Sequence, residues 1–300
     1  MKKNSYSTLL LVVCLFVAAY FLKGNNQSRS QEPVETSQGT GTTPSEGQEQ
    51  VSTSTEEGEA ADASSTDNES PDLDGIARSG NTAHQQMLYR LAYICAFNTT
   101  NKIPDWVGWC LTAQHTSGPY KRNGIPFHED DEVANSPTTY DYVRSGYDRG
   151  HMCPSGDNKW SETAQQQSFL MTNICPQTHS LNAGDWNELE QKCRKWANIY
   201  GKLYIVCGPI LYRSAHSHIG NGVTVPEAFF KVVLRTSPDT AAIGFIYRNA
   251  DGNRPMGDYI NSVDEVERIT NINFFTFLPK ATEAKVERRC SLNDLSLIHI

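Results

Sequence analysis

The sequence predicts an α+β domain in which a mixed, mainly antiparallel sheet is flanked by helices. Three apolar segments, residues 203–211, Ala228–Arg235 and 241–247, form a run of strands late in the chain. An amphipathic helix, Asp185–Tyr200, precedes this run, and a further helix follows it. Because strands come in a run and do not alternate one by one with helices, antiparallel pairing is favoured.

The first strands are expected where large apolar side chains return, from about residue 82. Residues 87–97 and 106–112 have the composition of strands, and the polar segment 98–104 joins them. A polar stretch rich in Gly and Pro, residues 114–146, then separates these strands from the remaining elements.

Helices are predicted by apolar side chains at three- and four-residue steps and by capping residues. Residues 161–171 have a helical pattern, and Asp185–Tyr200 has a stronger one, with an acidic residue at its start and Gly201 at its end. Ser262-x-x-Glu265 has the form of a capping box and predicts the last helix of the chain.

The N-terminus resembles an export signal. Lys2 and Lys3 precede an unbroken apolar run, residues 9–22, with small residues near its end. At about 1.5 Å per residue this run spans roughly 21 Å, short of a roughly 30 Å hydrocarbon core unless its flanks contribute. We expect residues 1–23 to be an uncleaved signal anchor, so that the protein is extracytoplasmic and attached to a membrane. The alternative is a cleaved signal peptide and a secreted or periplasmic protein.

Residues 24–80 are rich in Ser, Thr, Gly and acidic side chains and have almost no large apolar ones, which predicts a disordered tether. The net charge of −8 belongs to this tether: residues 31–80 hold twelve acidic residues and one Arg, and residues 81–300 are close to neutral. The acidity therefore does not exclude a polyanionic substrate for the folded part. We expect the folded domain at 82–290 and a tail at 291–300.

The eight cysteines leave an odd number once Cys14 of the hydrophobic segment is set aside, so at least one thiol is unpaired or pairs between chains. The chain has no Cys-x-x-Cys, which argues against a zinc ribbon. Cys95 and Cys110 flank the predicted turn and are candidates for a disulfide across two strands. Cys207, in an apolar strand, is interpreted as a buried core thiol.

One tetrapeptide, Asp148–His151, combines an acid, an arginine, a glycine and a histidine. Taken alone it is a weak signal, because a lone histidine in a Gly turn is more often structural than catalytic. The segments downstream change this interpretation. Asn173-Ile-Cys-Pro-Gln follows after twenty-two residues, and Leu181-Asn182-x-x-x-Trp186-x-x-Leu189-Glu190 after thirty-one, with Arg194 one helical turn later.

In that order and spacing, these segments resemble the DNA/RNA non-specific endonucleases of the ββα-metal (His-Me finger) class. The resemblance covers about residues 82–280, including the run 204–210, and excludes the N-terminal segments. It implies a ββα-metal motif within the α+β domain. It also implies hydrolysis of phosphodiester bonds in DNA and RNA.

By this resemblance His151 is the general base that activates water, and Asn182 is the protein ligand of a Mg²⁺ ion, with Mn²⁺ as another possible ion. A neutral imidazole suits the base, and an oxygen ligand suits Mg²⁺, which retains most of its waters. Glu190 matches a position that contacts those waters. From the helix alone, Glu190 and Arg194 would be interpreted as a weak surface pair.

The resemblance assigns the phosphate to arginines. Arg149 and Arg194 match positions that contact or orient the scissile phosphate, a role that suits the forked guanidinium. Arg122 matches a further phosphate-binding arginine less closely, and the adjacent Lys121 competes for that role. Asp148 and Asn173 are expected in the second shell, around the residues that contact the metal and substrate.

We therefore expect a metal-dependent, sequence-nonspecific endonuclease that acts on DNA and RNA, and the sequence leaves its oligomeric state open. A surface nucleic-acid-binding module without catalysis is the first alternative, although the complete set of site residues argues against it. A cysteine hydrolase using Cys153 or Cys175 is the second, and no histidine at a suitable spacing favours it.

Overall fold

A computed structural model describes residues 73–250 and 252–295. The strands in this part of the chain, in order, are β1 (Ala77–Ser79), β2 (Gln85–Tyr89), β3 (Tyr93–Asn98), β4 (Ile103–Thr112), β5 (Asp148–His151), β6 (Ile174–Gln177), β7 (Lys202–Ile210), β8 (His218–Ile219), β9 (Val223–Thr224), β10 (Ala228–Arg235), β11 (Ala241–Arg248), β12 (Ile260–Asn261) and β13 (Ile272–Phe274). The α-helices are α1 (Glu162–Gln167), α2 (His179–Ala183), α3 (Asp185–Tyr200), α4 (Val263–Thr270) and α5 (Lys280–Glu287).

Seven strands form one sheet, in the order β12-β11-β10-β7-β4-β3-β2, and each neighbouring pair is antiparallel. Smaller antiparallel pairs are β1 with β13, β5 with β6, and β8 with β9. Helices flank the large sheet, so the predicted α+β class with an antiparallel sheet is confirmed.

Alternation of side chains along the central strands divides the sheet into two faces. On β10, Phe229 packs against Trp186 of α3, while the next residue, Phe230, packs against Phe274 of β13. Gly244 of β11 lies on the same face as Phe230, and a Cβ there would approach Val266 of α4 to 2.6 Å. The sheet therefore has α3 on one face and β13 with α4 on the other.

The strong helix α3 has the predicted bounds. Its buried side chains recur at three- and four-residue steps, and Gly201 ends it with φ of +81°, a left-handed conformation that glycine adopts without strain. Ser262 caps α4 as predicted, since its hydroxyl accepts a hydrogen bond from Glu265 N at 3.2 Å. It is not the last helix, because α5 follows.

Two predicted elements differ from the structure. Residues 87–97 form no single strand; β2 and β3 are joined by a turn at 90–92, where buried Arg90 pairs with Asp130 at 2.6 Å. The helix predicted at 161–171 ends at Gln167, because the backbone around Phe169 hydrogen-bonds to His128 instead.

The predicted disulfide between Cys95 and Cys110 is wrong. Both thiols are buried and free, because the strand register places Cys95 opposite Val107 and Cys110 opposite Tyr204. Cys207 is a buried core thiol, as predicted.

The folded part begins before residue 82, since Leu73 is buried and β1 pairs with β13. It also extends into the predicted tail, because Leu295 is fully buried. These boundaries correct the predicted tether and tail at their edges. The predicted signal anchor, residues 1–23, and the tether up to residue 72 lie outside the described residues.

Candidate active site

The tetrapeptide Asp148–His151 forms β5, which pairs with β6 so that Asp148 lies opposite Gln177 and His151 opposite Ile174. The helices that follow β6, the short α2 and the 16-residue α3, complete a ββα unit on the sheet face that carries α3. The 22-residue spacing from His151 to Asn173 therefore joins the two paired strands, and the 31-residue spacing to Asn182 reaches α2.

A cleft of about 530 Å³ lies beside this unit. It brings together six of the eight predicted site residues, and Asp148 and Asn173 do not line it. The lining residues are Lys121, Arg122, Asn123, Arg149, His151, Pro154, Ser155, Gly156, Lys159, Gln165, Asn182, Ala183, Asn187, Glu190 and Arg194.

His151 lines the cleft between two aromatic rings, with Phe127 at 5.2 Å and Phe169 at 5.1 Å between ring centroids. Its Nε2 is buried and has no hydrogen-bond partner among the described residues. Burial, and secondarily the charge of Arg122, lower the pKa of His151 to about 3. The imidazole is therefore neutral across the physiological range, and its ring has an unprotonated nitrogen. Efficient proton acceptance near pH 7 requires a pKa closer to that value than burial gives His151 in this cleft.

Asn182, at the end of α2, is oriented by Asp148. Its Nδ2 donates to Asp148 Oδ2 at 3.0 Å, and that same oxygen lies 2.8 Å from Nδ1 of the exposed His179. With the amide nitrogen committed to Asp148, the amide oxygen is the end available as a ligand. Asp148 thus contacts Asn182 and does not line the cleft.

Glu190 and Arg194 face the cleft from one side of α3. Burial raises the pKa of Glu190 to about 7, against the charge of Lys231, which lowers it. Arg194 lies 3.9 Å from Glu190 Oε2 but donates from Nη1 to Asp157 Oδ1 at 2.8 Å. Gly156 leaves room for this guanidinium, since a Cβ there would lie 2.8 Å from Nη1.

Asp157 is a positioning residue that the sequence did not reveal. It is 2% exposed, accepts from Arg194, and accepts from Trp109 Nε1 at 3.1 Å through its second oxygen. The Arg194 guanidinium is therefore held by Asp157 and not by the i,i+4 pair with Glu190. A single Asp in a loop gives no spacing signal that could have identified it.

Lys231 was also missed, although a signal for it existed. It is 1% exposed at the centre of β10, with Nζ 4.3 Å from the ring centroid of Trp186 and 5.4 Å from that of Trp109. A lysine inside an apolar strand is a buried charge that requires an explanation. The charge of Lys231 lowers the pKa of Glu190.

Arg149 extends from β5 to Thr139, whose carbonyl accepts from Nη2 at 2.8 Å. The guanidinium lies over the rings of Phe127 and Tyr142, at 5.6 and 5.7 Å from their centroids. Exposed Arg122 and Lys121 both line the rim of the cleft, so the structure keeps both as candidates for a further phosphate contact.

Asn173 lies behind the cleft, next to the segment that follows His151. It is fully buried, and its amide binds the backbone after His151: Oδ1 accepts from Cys153 N at 2.9 Å, and Nδ2 donates to the carbonyls of Cys153 and Ser168, both at 2.8 Å. Asn173 therefore fixes the chain that leads away from His151 and does not face the cleft.

The cysteine-hydrolase alternative finds no support in the geometry. Cys153 and Cys175 are fully buried, and burial raises the pKa of both thiols well above the usual range. Such thiols are not accessible nucleophiles.

The family model of DNA/RNA non-specific endonucleases matches residues 75–281. The chain belongs to the DNA/RNA non-specific endonuclease family. The mitochondrial nuclease EXOG of Danio rerio is 33% identical over 210 residues, 63% of this chain and 60% of that protein. The mitochondrial endonuclease G of Bos taurus is 28% identical over 215 residues, 66% of this chain and 72% of that protein. The match thus spans less than two thirds of the first of these relatives.

A solved structure of the same family shares the fold. The crystal structure of an EndoG/EndoGI complex matches with a TM-score of 0.63 and 25% sequence identity, over 65% of this chain and 88% of that chain. This match agrees with the assignment of β5, β6 and the following helices as a ββα-metal motif.

The predicted location is wrong on these comparisons. An extracytoplasmic, membrane-anchored protein was expected, whereas the relatives named above are mitochondrial nucleases. A membrane partner likewise has no support from them. Within residues 73–250 and 252–295, no helix has the length and apolar character to cross a membrane.

The residues of the cleft fit the divalent ion that this nuclease family implies. Asn182 and Glu190 both line it and supply an amide oxygen and a carboxylate, the hard oxygen donors that Mg²⁺ prefers. Arg194 lies 3.9 Å from the Glu190 carboxylate and binds Asp157 more closely, so it forms no tight ion pair with Glu190. The donor set therefore suits an ion bound mostly through water.

Proposed function

We propose that this protein is a divalent-metal-dependent, sequence-nonspecific endonuclease that hydrolyses phosphodiester bonds of DNA and RNA. The observation that supports it most strongly is one cleft shared by a neutral histidine, an oriented asparagine, a carboxylate and two arginines. Each is a residue type that phosphodiester hydrolysis requires.

In the proposed mechanism His151 accepts a proton from the attacking water, which its neutral, unprotonated ring nitrogen permits. Asn182 would hold Mg²⁺, with Mn²⁺ as another possible ion, and Glu190 would contact its waters; such an ion would supply positive charge to the phosphate and the leaving group. Arg149 and Arg194 bind the phosphate oxygens and offset the negative charge that grows on them.

The lack of sequence specificity follows from the same groups. The rim of the cleft offers Arg122, Lys121 and Lys159, which bind phosphates, and phosphates report nothing about base identity. We therefore expect cleavage of both DNA and RNA and strong inhibition by salt.

The test is digestion of a supercoiled plasmid and a long RNA with the purified protein in the presence of Mg²⁺, Mn²⁺ or EDTA. Cleavage of both substrates is expected with Mg²⁺ and none with EDTA, and a thiol alkylator should change nothing. Binding in a gel-shift assay without cleavage by any metal would contradict the proposal and favour a binding module. Cleavage that survives EDTA and is lost on alkylation would favour a thiol mechanism.

A further inference from the structure

A cluster of carboxylates lies on α4 and α5, away from the cleft. Asp264 and Glu267 are one turn apart on α4, and Glu283 and Glu287 are one turn apart on α5, so each pair shares a helix side. Gly244 packs under α4 on the sheet face opposite to Trp186, so α4 and its carboxylates lie on the other side of the sheet from the cleft.

The separation of the oxygens suits a bound ion. Ligand oxygens of Asp264, Glu267 and Glu287 all lie within 4.8 Å of one another. Three oxygens no more than 4.8 Å apart can lie within about 2.8 Å of a common point, close to the 2.3–2.6 Å of Ca–O bonds and farther from the 2.0–2.1 Å of Mg–O bonds. Small side-chain rotations would therefore place all three on a Ca²⁺ ion, and Mg²⁺ would require larger ones.

Glu287 provides a second, independent indication. The residue is 4% exposed, and its buried Oε1 has no hydrogen-bond partner among the described residues. Buried carboxylate oxygens are ordinarily paired or hydrogen-bonded, so an orphaned one next to two further carboxylates indicates a missing positive partner.

The other members of the cluster leave room for that partner. Glu267 Oε1 accepts from the backbone nitrogen of Phe274 at 2.8 Å, which fixes the side chain and uses one oxygen. Glu283 forms an ion pair with Lys280, whose Nζ lies 2.8 Å from Glu283 Oε2. Asp264 is exposed, which gives an ion a route from solvent and a place for water ligands.

The charges around Glu287 are unbalanced. Burial, and then the charges of Glu267, Glu283 and Asp264, raise the pKa of Glu287 to about 8, and the charge of Lys280 lowers it by less. A divalent cation among the three carboxylates would remove this repulsion.

We propose that Asp264, Glu267 and Glu287 form a Ca²⁺ site that ties α4 to α5 on the sheet face opposite the nuclease cleft. The role of this site is structural, and it does not depend on the proposed catalytic activity. Binding joins the C-terminal helix to the rest of the domain through charge and adds stability whenever Ca²⁺ exceeds its dissociation constant.

The test uses the full chain carrying Asn182→Ala, which weakens cation binding in the cleft. Thermal unfolding is followed at pH 7.5 in EDTA and in about 5 mM CaCl₂, above the Kd of weak Ca²⁺ modules, with calorimetric titration of Ca²⁺ alongside. We expect Ca²⁺ to raise Tm by about 5 °C or more and the same concentration of Mg²⁺ to raise it less.

In the same background, Glu287→Gln should abolish the Ca²⁺ shift and the calorimetric heat, while its Tm in EDTA equals or exceeds that of the parent. Glu265→Gln is the matched control, because Glu265 is on the same helix but pairs with Arg268 at the surface, and it should keep the full shift. If Glu287→Gln does not fold, Asp264→Asn at the exposed position should lower the Ca²⁺ affinity about tenfold.

Two results would overturn the proposal. One is a Tm that does not change with Ca²⁺ but rises as the pH is lowered from about 9 to 7, which would mean that a proton and not an ion satisfies Glu287. The other is a Ca²⁺ shift that persists in Glu287→Gln, which would place the ion elsewhere.

Discussion

Removing the Asp148 carboxylate should weaken metal binding without removing a group that touches the substrate. Asp148 Oδ2 accepts from Asn182 Nδ2 at 3.0 Å, and this bond decides which end of the amide faces the cleft. In Asp148→Ala the amide can rotate by half a turn and present its NH₂ group, which repels a cation. The ion should then require a higher concentration to bind.

The size of the effect follows from the geometry. A hydrogen bond to a charged acceptor contributes about 1.5–3 kcal/mol, and the lower end applies because the Asp148 side chain is 33% exposed. About 1.5 kcal/mol corresponds to roughly a tenfold rise in the Mg²⁺ concentration for half-maximal cleavage. This agrees with the roughly 10–100-fold typical of groups that orient metal ligands.

The assay is plasmid cleavage as a function of Mg²⁺ concentration, with kcat measured at saturation. Asp148→Ala should shift the Mg²⁺ midpoint about tenfold and keep most of kcat, and Asp148→Asn, which retains an acceptor oxygen, should recover much of the loss. His179→Ala removes the other partner of Oδ2, and because His179 is 82% exposed its effect should stay below about twofold. An unchanged midpoint in Asp148→Ala, or a loss of kcat that Mg²⁺ does not restore, would refute the orientation argument.

Three further predictions concern the cleft and its support. Because the pKa of Glu190 is raised to about 7, its carboxylate is protonated below that pH, and the apparent Mg²⁺ affinity should fall about tenfold per pH unit below 7. In Mg²⁺ titrations the Glu190→Gln variant should lose this pH dependence. A pH dependence retained in that variant would assign the titration to another group. Asn173→Ala leaves three buried backbone groups without their hydrogen-bond partner and should lower the free energy of unfolding in urea by about 3 kcal/mol. A decrease below about 1 kcal/mol would contradict the structural role of Asn173. Arg122→Gln and Lys121→Gln test which residue contacts a phosphate. The variant that loses the contact should have a higher KM and a slope of log affinity against log salt concentration reduced by about one. Unchanged slopes in both variants would exclude both residues.

Local patterns predicted the elements that depend on local physics. Helix α3 follows from the spacing of its apolar side chains and from Gly201, whose positive φ ends it. Strand β10 has its predicted bounds for a similar reason, since it is apolar except for Lys231 in its interior and Arg235 at its end. The arrangement of His151, Asn182 and Glu190 in one cleft was expected from the family resemblance that their order and spacing indicated.

Features set by long-range contacts could not be predicted. The disulfide prediction failed because strand register cannot be inferred from composition, and here a bulge at Ala96 and Phe97 also shifts it. The role of Asp157 could be recognised only from its contact with Arg194, which the fold brings close to it. The charge of Lys231 could have been noticed in the sequence, but its neighbours Trp109 and Trp186 could not.

The central claim is that His151 is the base of a metal-dependent nuclease, and its most direct test is the single-turnover rate of cleavage by His151→Ala. With saturating Mg²⁺ the rate on plasmid and on RNA should fall by about 10²–10⁴, while substrate binding and Tm stay near those of the wild type. His218→Ala, at an exposed histidine that does not line the cleft, should cleave at the wild-type rate. A folded His151→Ala variant that retains wild-type cleavage would contradict the account.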